Sequence, residues 1–441
     1  MRVCGGHSFC MSSRARQYGT SCVGKELNDS RFITSAMSGD PVRMHNPTHR
    51  HEDIRVPEFK NGPNVGWETE VRGTRGLAVR DNTCIAAVDQ GVVALRADGT
   101  PEWRFTAAGS YTVPTVGERS VYVTSADSTE DGYGRLHALD IESGSEKWRF
   151  ELRGKGGKTS PAVVGDTVYI ANGGAEAVYA LEAETGTPRW AVDDVGPAYK
   201  SLAVVDNTVY VGTQGRVFDD NDGSVCAIDA DTGTVQWELK TDDKIASPPT
   251  VTNGTVYTAG RSGSVYAIDS DAGNKNWEYT TGDTVESSPA VVGGTVYVGS
   301  DEAVYALDAT IGTVAWRFET SSTVRSSPLV TDETVYVGST DGSIYALAAG
   351  DGSKRWQFSL RKGDTSPFAA HVSAGPVAVD GTICVATTEA IYGLSSKAGG
   401  QHSTEPKRLI SAEGSRHCSS CESDLSEYGS PNFCPECGAK Q

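Results

Sequence analysis

The stretch SSPAVVGGTVYVGSDEAVYALDATIGTVAWRFET, at 287–320, divides into four strand-like pieces separated by turns. SSPAVV is the first, with Gly293-Gly294 as its turn, and TVYVGS follows with Asp301-Glu302 at its end. AVYALDA is the third, and a turn closing on Gly312 leads into VAWRFET. Residues such as Val296 and Val298 alternate with the period of two expected of strands packed between neighbouring sheets. The second half carries a short phrase: a small residue with Leu or Ile, a turn ending on Gly, then Trp four residues later. The phrase returns at 138–148 (ALDIESGSEKW), 180–190 (ALEAETGTPRW), 227–237 (AIDADTGTVQW), 267–277 (AIDSDAGNKNW) and 346–356 (ALAAGDGSKRW). A version one residue shorter, ALRADGTPEW, lies at 94–103. An eighth copy, GLSSKAGG at 393–400, keeps Gly399 but has no Trp after it.

All the Trp of the chain stand at 67, 103, 148, 190, 237, 277, 316 and 356, a period near 40. That period, with four strand-like pieces per unit, predicts an all-β propeller of four-stranded antiparallel blades. A lone four-stranded sheet of this length cannot bury both faces. A flat ring on each outer strand, wedged against the next blade, would bury ~150–250 Å² per copy. The turn Gly supplies positive φ, and small residues let backbone pass close to the ring. Complete units end at Trp103, Trp148, Trp190, Trp237, Trp277, Trp316 and Trp356. The eighth starts near Ala374 and runs out before an outer strand, while 65–71, with GWETEV at its heart, looks like the missing strand with its own Trp67. Pairing the two would abolish the free edge. The expectation is eight blades, closed by Trp67.

The 441 residues carry a formal charge of −18, against a general nucleic-acid binder, and no apolar run long enough to span a bilayer. Fifty Gly fit many tight turns. Such acidity suits solubility at high salt, as in a haloarchaeal protein, or simply a solvated surface. Residues 1–60 differ from the rest, with nine Lys/Arg against six Asp/Glu, four His and no repeat. They read as a disordered extension, or as one produced by a misplaced start with translation beginning at Met37 or Met44. No apolar core of a secretory signal is visible. The organisation expected is therefore an extension over 1–60, the propeller over 61–403, a linker over 404–416 and a small module over 417–441. Cys84, Cys226 and Cys384 fall in strand-like segments and read as buried small hydrophobes.

The phrases ending in Trp resemble the tryptophan-docking repeat of the pyrroloquinoline quinone (PQQ) propeller superfamily, which includes quinoprotein alcohol dehydrogenases and the BamB outer-membrane assembly factor. The resemblance covers about 65–403 and implies a scaffold rather than an activity. The dehydrogenases of that group bind PQQ with a stacking Trp, a vicinal Cys-Cys disulfide, a calcium site of Glu, Asn and Asp, and an Asp base. This sequence has no Cys-Cys, no CxxCH haem site and no Trp outside a docking position. PQQ is therefore not expected, and neither is an enzyme; a PQQ-dependent dehydrogenase is the competing reading. A BamB-like envelope assembly factor is a third.

Propeller partners usually meet the channel mouth, where the innermost strands begin. Aligning the units places Thr74, Tyr111, Lys158, Tyr199, Ala246, Glu286, Arg325 and Ser373 at one ring position. The chemistry of that ring varies while the Ser-Pro after it (Ser160-Pro161, Ser288-Pro289, Ser327-Pro328) stays uniform. Tyr111, Lys158, Tyr199, Glu286 and Arg325 are the candidate partner contacts, against the alternative of a solvated rim. Two hairpins carry insertions, 125–134 and 213–223, and Asp219, Asn221 and Asp222 in the second suggest part of a calcium loop without its closing Glu. At the C-terminus Cys418, Cys421, Cys434 and Cys437 form two CxxC pairs twelve residues apart. That spacing suits one tetrahedral zinc whose binding supplies the module's folding energy, with disulfides or rubredoxin-like iron as alternatives. CPECG resembles the knuckle of a zinc ribbon, and reduced thiolates favour the cytoplasm. The reading is a monomeric, non-catalytic scaffold for other proteins.

Overall fold

The computed structural model describes residues 59 and 62–396, apart from 108, 127–132, 156–158, 216–222, 332 and 361–370, together with 407–408. Its secondary structure is β throughout, arranged as eight blades of antiparallel strands. The sixth blade shows the plan: Ala290–Val292, Thr295–Gly299, Ala303–Asp308 and Val314–Glu319, hydrogen-bonded in that order. The two middle strands are buried almost throughout because both faces meet neighbouring blades. The outer strand alternates exposed and buried residues, with Trp316 turned inward at 8% exposure. Apolar clusters accordingly form between blades: Val265 and Ala267 of the fifth pack with Val296, Val298 and Tyr305 of the sixth.

The sequence phrase works as an interlock. Gly144 has φ +69°, and a Cβ placed there would lie 2.4 Å from Cε3 of Trp103 in the preceding blade. Four residues on, Trp148 lies in the same way against Gly186 of the following blade. The Asp of the phrase shapes the turn: the Asp308 carboxylate accepts the backbone N–H groups of Thr310 (2.8 Å) and Ile311 (3.1 Å). Seven of the rings also make a directed bond. Trp103 Nε1 donates to the Ile141 carbonyl at 2.8 Å, and Trp316 Nε1 to that of Ala349 at 2.8 Å. The Tyr of the TVY strand joins it: Tyr297 lies 5.8 Å from Trp316 between centroids, and its hydroxyl donates to the same Ala349 carbonyl at 3.3 Å. Tyr169–Trp190, Tyr210–Trp237 and Tyr257–Trp277 repeat the pairing. This Tyr, which the sequence pattern marks only as a strand residue, is half of the docking unit.

The eighth blade is composite. Val372–Val379, Thr382–Thr387 and Ala390–Ser395 are followed in the sheet by Asn64–Glu70, which pairs antiparallel with Ala390–Ser395 and sets Trp67 opposite Gly393. Lys407–Arg408, in the stretch read as linker, pairs parallel with the outer side of that strand. Phe59 is 7% exposed and meets Trp356 edge-on at 5.5 Å, so the folded contacts begin slightly ahead of residue 61. No helix among the described residues is long and apolar enough to cross a membrane.

Two local departures from the expected strands have the same cause. Ser287-Ser288-Pro289 lies ahead of the inner strand rather than within it, because Pro has no N–H for the ladder. In the second blade the inner strand splits into Ser110–Tyr111 and Thr115–Val116 around Pro114, both pairing with Ser120–Ala126. Cys84, Cys226 and Cys384 are buried free thiols, and burial pushes the Cys226 thiol up to about 12.

Candidate functional site

The segment before each inner strand enters the channel under a local constraint. Ser287 Oγ accepts the Gly299 N–H at 2.8 Å and donates to the Gly299 carbonyl at 3.0 Å, standing in for a strand partner where Pro289 cannot pair. Ser326 does the same with Gly338, at 2.9 Å for both bonds. Ser247 Oγ accepts the Ala259 N–H at 2.8 Å, and Thr159 Oγ1 bonds the Ala171 carbonyl. With this hydroxyl pinned, the residue before it is held at the mouth. Glu286 and Arg325 are placed in that way.

These segments surround a cavity of about 450 Å³. Of the eight ring positions, Tyr111, Tyr199, Glu286, Arg325 and Ser373 line it, while Thr74 and Ala246 do not. Lys158 lies outside the described residues. The lining residues differ in how far they reach. Tyr199 is exposed, its ring packed on Gly173, where a Cβ would lie 2.6 Å from Cε1. Arg325 Nε sits 3.8 Å from Glu286 Oε2, a long ion pair whose cation remains largely in solvent. Tyr111 is 1% exposed and meets the Phe105 ring edge-on at 6.3 Å, so it forms the cavity wall rather than a contact surface.

Two cations of the cavity stand outside the aligned ring positions. Lys200 and Arg75 line the same cavity, one position after the ring residues Tyr199 and Thr74. In the third, fifth, sixth and seventh blades that position carries the pinned hydroxyl, so the signal was a basic residue in a hydroxyl column. Lys200 is half-buried, and burial drives its ammonium pKa down; Glu286 opposes the shift, while Arg261 and Arg325 add to it.

A second constellation has the hydrogen-bond order of a nucleophile–base–acid relay. Ser125 Oγ lies 2.8 Å from His137 Nε2, and His137 Nδ1 lies 2.6 Å from Glu146 Oε1. Ser125 is 1% exposed and His137 4%, with Phe105 and Tyr111 against the imidazole. All three residues stand on strands of the second blade, so the buried relay ties that blade together beside Phe105 of the first.

Other sites expected from the sequence fall elsewhere. Cys418, Cys421, Cys434 and Cys437 lie outside the described residues, as do Asp219, Asn221 and Asp222. For PQQ and calcium the test is the mouth itself. Its described lining contains neither Trp nor Cys and only one carboxylate, Glu286. Seven of the eight indoles are already bonded to a carbonyl of the following blade. The residues present do not fit that cofactor as the sequence resemblance describes its site.

A family profile described as "Outer membrane protein assembly factor BamB" matches residues 89–220, 132–246 and 221–412. No curated protein matches the chain. Among solved structures, BamB from Moraxella catarrhalis is similar with TM-score 0.59 and 18% identity, covering 76% of this chain and 98% of that one. Quinohemoprotein alcohol dehydrogenase from Comamonas testosteroni gives TM-score 0.63 and 18% identity, over 81% and 79% of the two chains. The computationally designed Ika8 protein gives TM-score 0.63 and 17% identity, over 76% and 100%. At such identities these likenesses establish the fold alone.

Proposed function

This chain belongs to the family of the outer membrane protein assembly factor BamB, and from that premise we propose that it is a non-catalytic propeller that binds other proteins at its channel mouth. The observation that carries this reading is the division of labour among its residues. The Trp–Tyr docking units repeat from blade to blade and pinned hydroxyls hold Glu286 and Arg325, while the mouth residues Tyr199, Glu286, Arg325 and Ser373 differ in charge and size. A uniform scaffold with a varied rim suits recognition of a shaped surface. The reading includes a structural zinc at Cys418, Cys421, Cys434 and Cys437, and with reduced thiolates a cytoplasmic location in a salt-tolerant cell.

The test is affinity capture with the full chain, comparing it with a Glu286→Lys, Arg325→Glu double variant and with a Cys434→Ser, Cys437→Ser variant. Proteins lost with the first variant but kept with the second bind the mouth. Capture unchanged by the first variant sinks the mouth reading. The quinoprotein alternative, which the dehydrogenase among the structural neighbours keeps in play, is tested by soaking with PQQ and calcium and assaying alcohol-dependent dye reduction.

A further inference from the structure

The hydroxyl column at the mouth has a physical job: it satisfies backbone groups beside the inner strand. Ser247, Ser287 and Ser326 do so at 0%, 0% and 5% exposure. Replacing such a residue with a long cation removes that bond and brings a charge into a confined space. The fourth blade does this with the half-buried Lys200, while the first carries Arg75 at the same position with its side chain exposed. Among the described residues Lys200 forms no salt bridge, and its neighbours Arg261 and Arg325 are of like charge. Glu286 is the one carboxylate in the described lining, and it already faces Arg325 at 3.8 Å. A partly desolvated ammonium beside like charges is costly unless something compensates it.

The charge balance says what would compensate. Among the described lining residues Arg75, Lys200 and Arg325 stand against Glu286 alone, two positive charges in excess on a chain whose formal charge is −18. A concave site with cations in its wall focuses potential inward. Ser201, Ser288 and Ser327 also line it and make the wall polar, Ser327 Oγ accepting the Ser288 N–H at 3.1 Å. The volume, about 450 Å³, is that of a small-molecule site and leaves room beyond the anionic group. We propose that the mouth cavity binds a compact oxyanion carrying two negative charges, the headgroup of a phosphate monoester or of a small dicarboxylate, with Lys200 and Arg325 as its charged ligands and Arg75 at the rim. The site goes beyond protein binding at the mouth and stands whether or not a protein docks over it.

The experiment is equilibrium dialysis or calorimetry of the full chain against inorganic phosphate and, separately, malonate, at the lowest ionic strength at which the chain stays folded. Saturable binding of at least one of them, with one site per chain, is expected. Lys200→Met should weaken it at least about ten-fold, whereas Lys200→Arg, which keeps the charge, should stay within about three-fold. Lys240→Met, on the exposed face of an outer strand, should leave binding unchanged. Whether phosphate or malonate binds more tightly distinguishes the two ligand classes. The absence of saturable binding of both dianions by the wild type overturns the proposal. So does a folded Lys200→Met chain, checked by circular dichroism, that binds as the wild type does. Neither result bears on the protein-capture test, which reads different variants.

Discussion

The indole Nε1 of Trp67 donates to the carbonyl of Ala97, 2.6 Å away and 30 residues later in the chain. Trp67 belongs to the eighth blade by pairing and to the first by this bond. Its ring also covers Gly99, where a Cβ would lie 2.5 Å from Cδ2. The hydroxyl of Thr69 donates to the Gly99 carbonyl at 2.9 Å. One short strand thus joins both ends of the ring.

Trp67→Ala should therefore destabilise the whole propeller rather than fray one terminus. The expected loss is about 3 kcal/mol, the range of large aromatic truncations tempered by partial exposure. Val65→Ala, in the same strand but 40% exposed, should cost less than about 0.5 kcal/mol. Denaturant unfolding followed by Trp fluorescence checks both; equal midpoints for the two variants would refute the closure argument.

Two glycines separate backbone conformation from ring contact. Gly144 and Gly294 have φ +69° and +77°, but only Gly144 has a Trp ring where its Cβ would fall. Gly294→Ala should cost about 1 kcal/mol from the left-handed conformation alone. Gly144→Ala should cost more, since Trp103 must also move. Thermal melting of the pair checks the ordering.

His137 makes stability depend on pH in a defined direction. Burial lowers its pKa, partly offset by Glu146, while Arg135 and Arg149 lower it further. The folded state thus prefers the neutral imidazole, and the unfolded chain binds the proton first. Stability should be complete above the unfolded value of about 6.5 and fall as pH drops below it. Asp140, Asp229 and Asp351, held below the usual carboxylate range by hydrogen bonds within their turns, contribute losses only near pH 4 and lower. Melting temperatures of wild type and His137→Gln across pH 7.5 to 5 should diverge at the alkaline end and converge at the acidic end.

Thiol reactivity should divide by burial. Cys84, Cys226 and Cys384 should resist alkylation in the folded chain and react after denaturation, as peptide mass mapping would show. Rapid labelling of Cys226 in the native state would contradict its place between the fourth and third blades.

Zinc content checks the C-terminal module independently. About one zinc per chain is expected, lost in Cys434→Ser, Cys437→Ser, with the propeller's melting temperature unchanged. A metal-free wild type purified without chelator would count against the zinc reading.

The blade plan is legible in the amino-acid order alone. Most phrases carry an Asp-shaped turn, and the seven complete ones hold their Gly and Trp within eleven residues, so local spacing is enough to count units and to leave one ring stranded at Trp67. It also marked Glu286 and Arg325, because the Ser-Pro after them fixed their alignment. What Tyr297 and its equivalents do emerges only on folding, since their hydroxyls bond carbonyls 52 to 61 residues away in the next blade. The burial of Tyr111 has the same origin: a ring position says where a residue starts, not whether Phe105 and His137 enclose it. Lys200 was invisible as a site because its environment is made by Glu286, Arg261 and Arg325 from other blades. Periodicity is a local property that the chain writes openly. Desolvation and charge balance arise only when segments about forty residues apart converge on one channel.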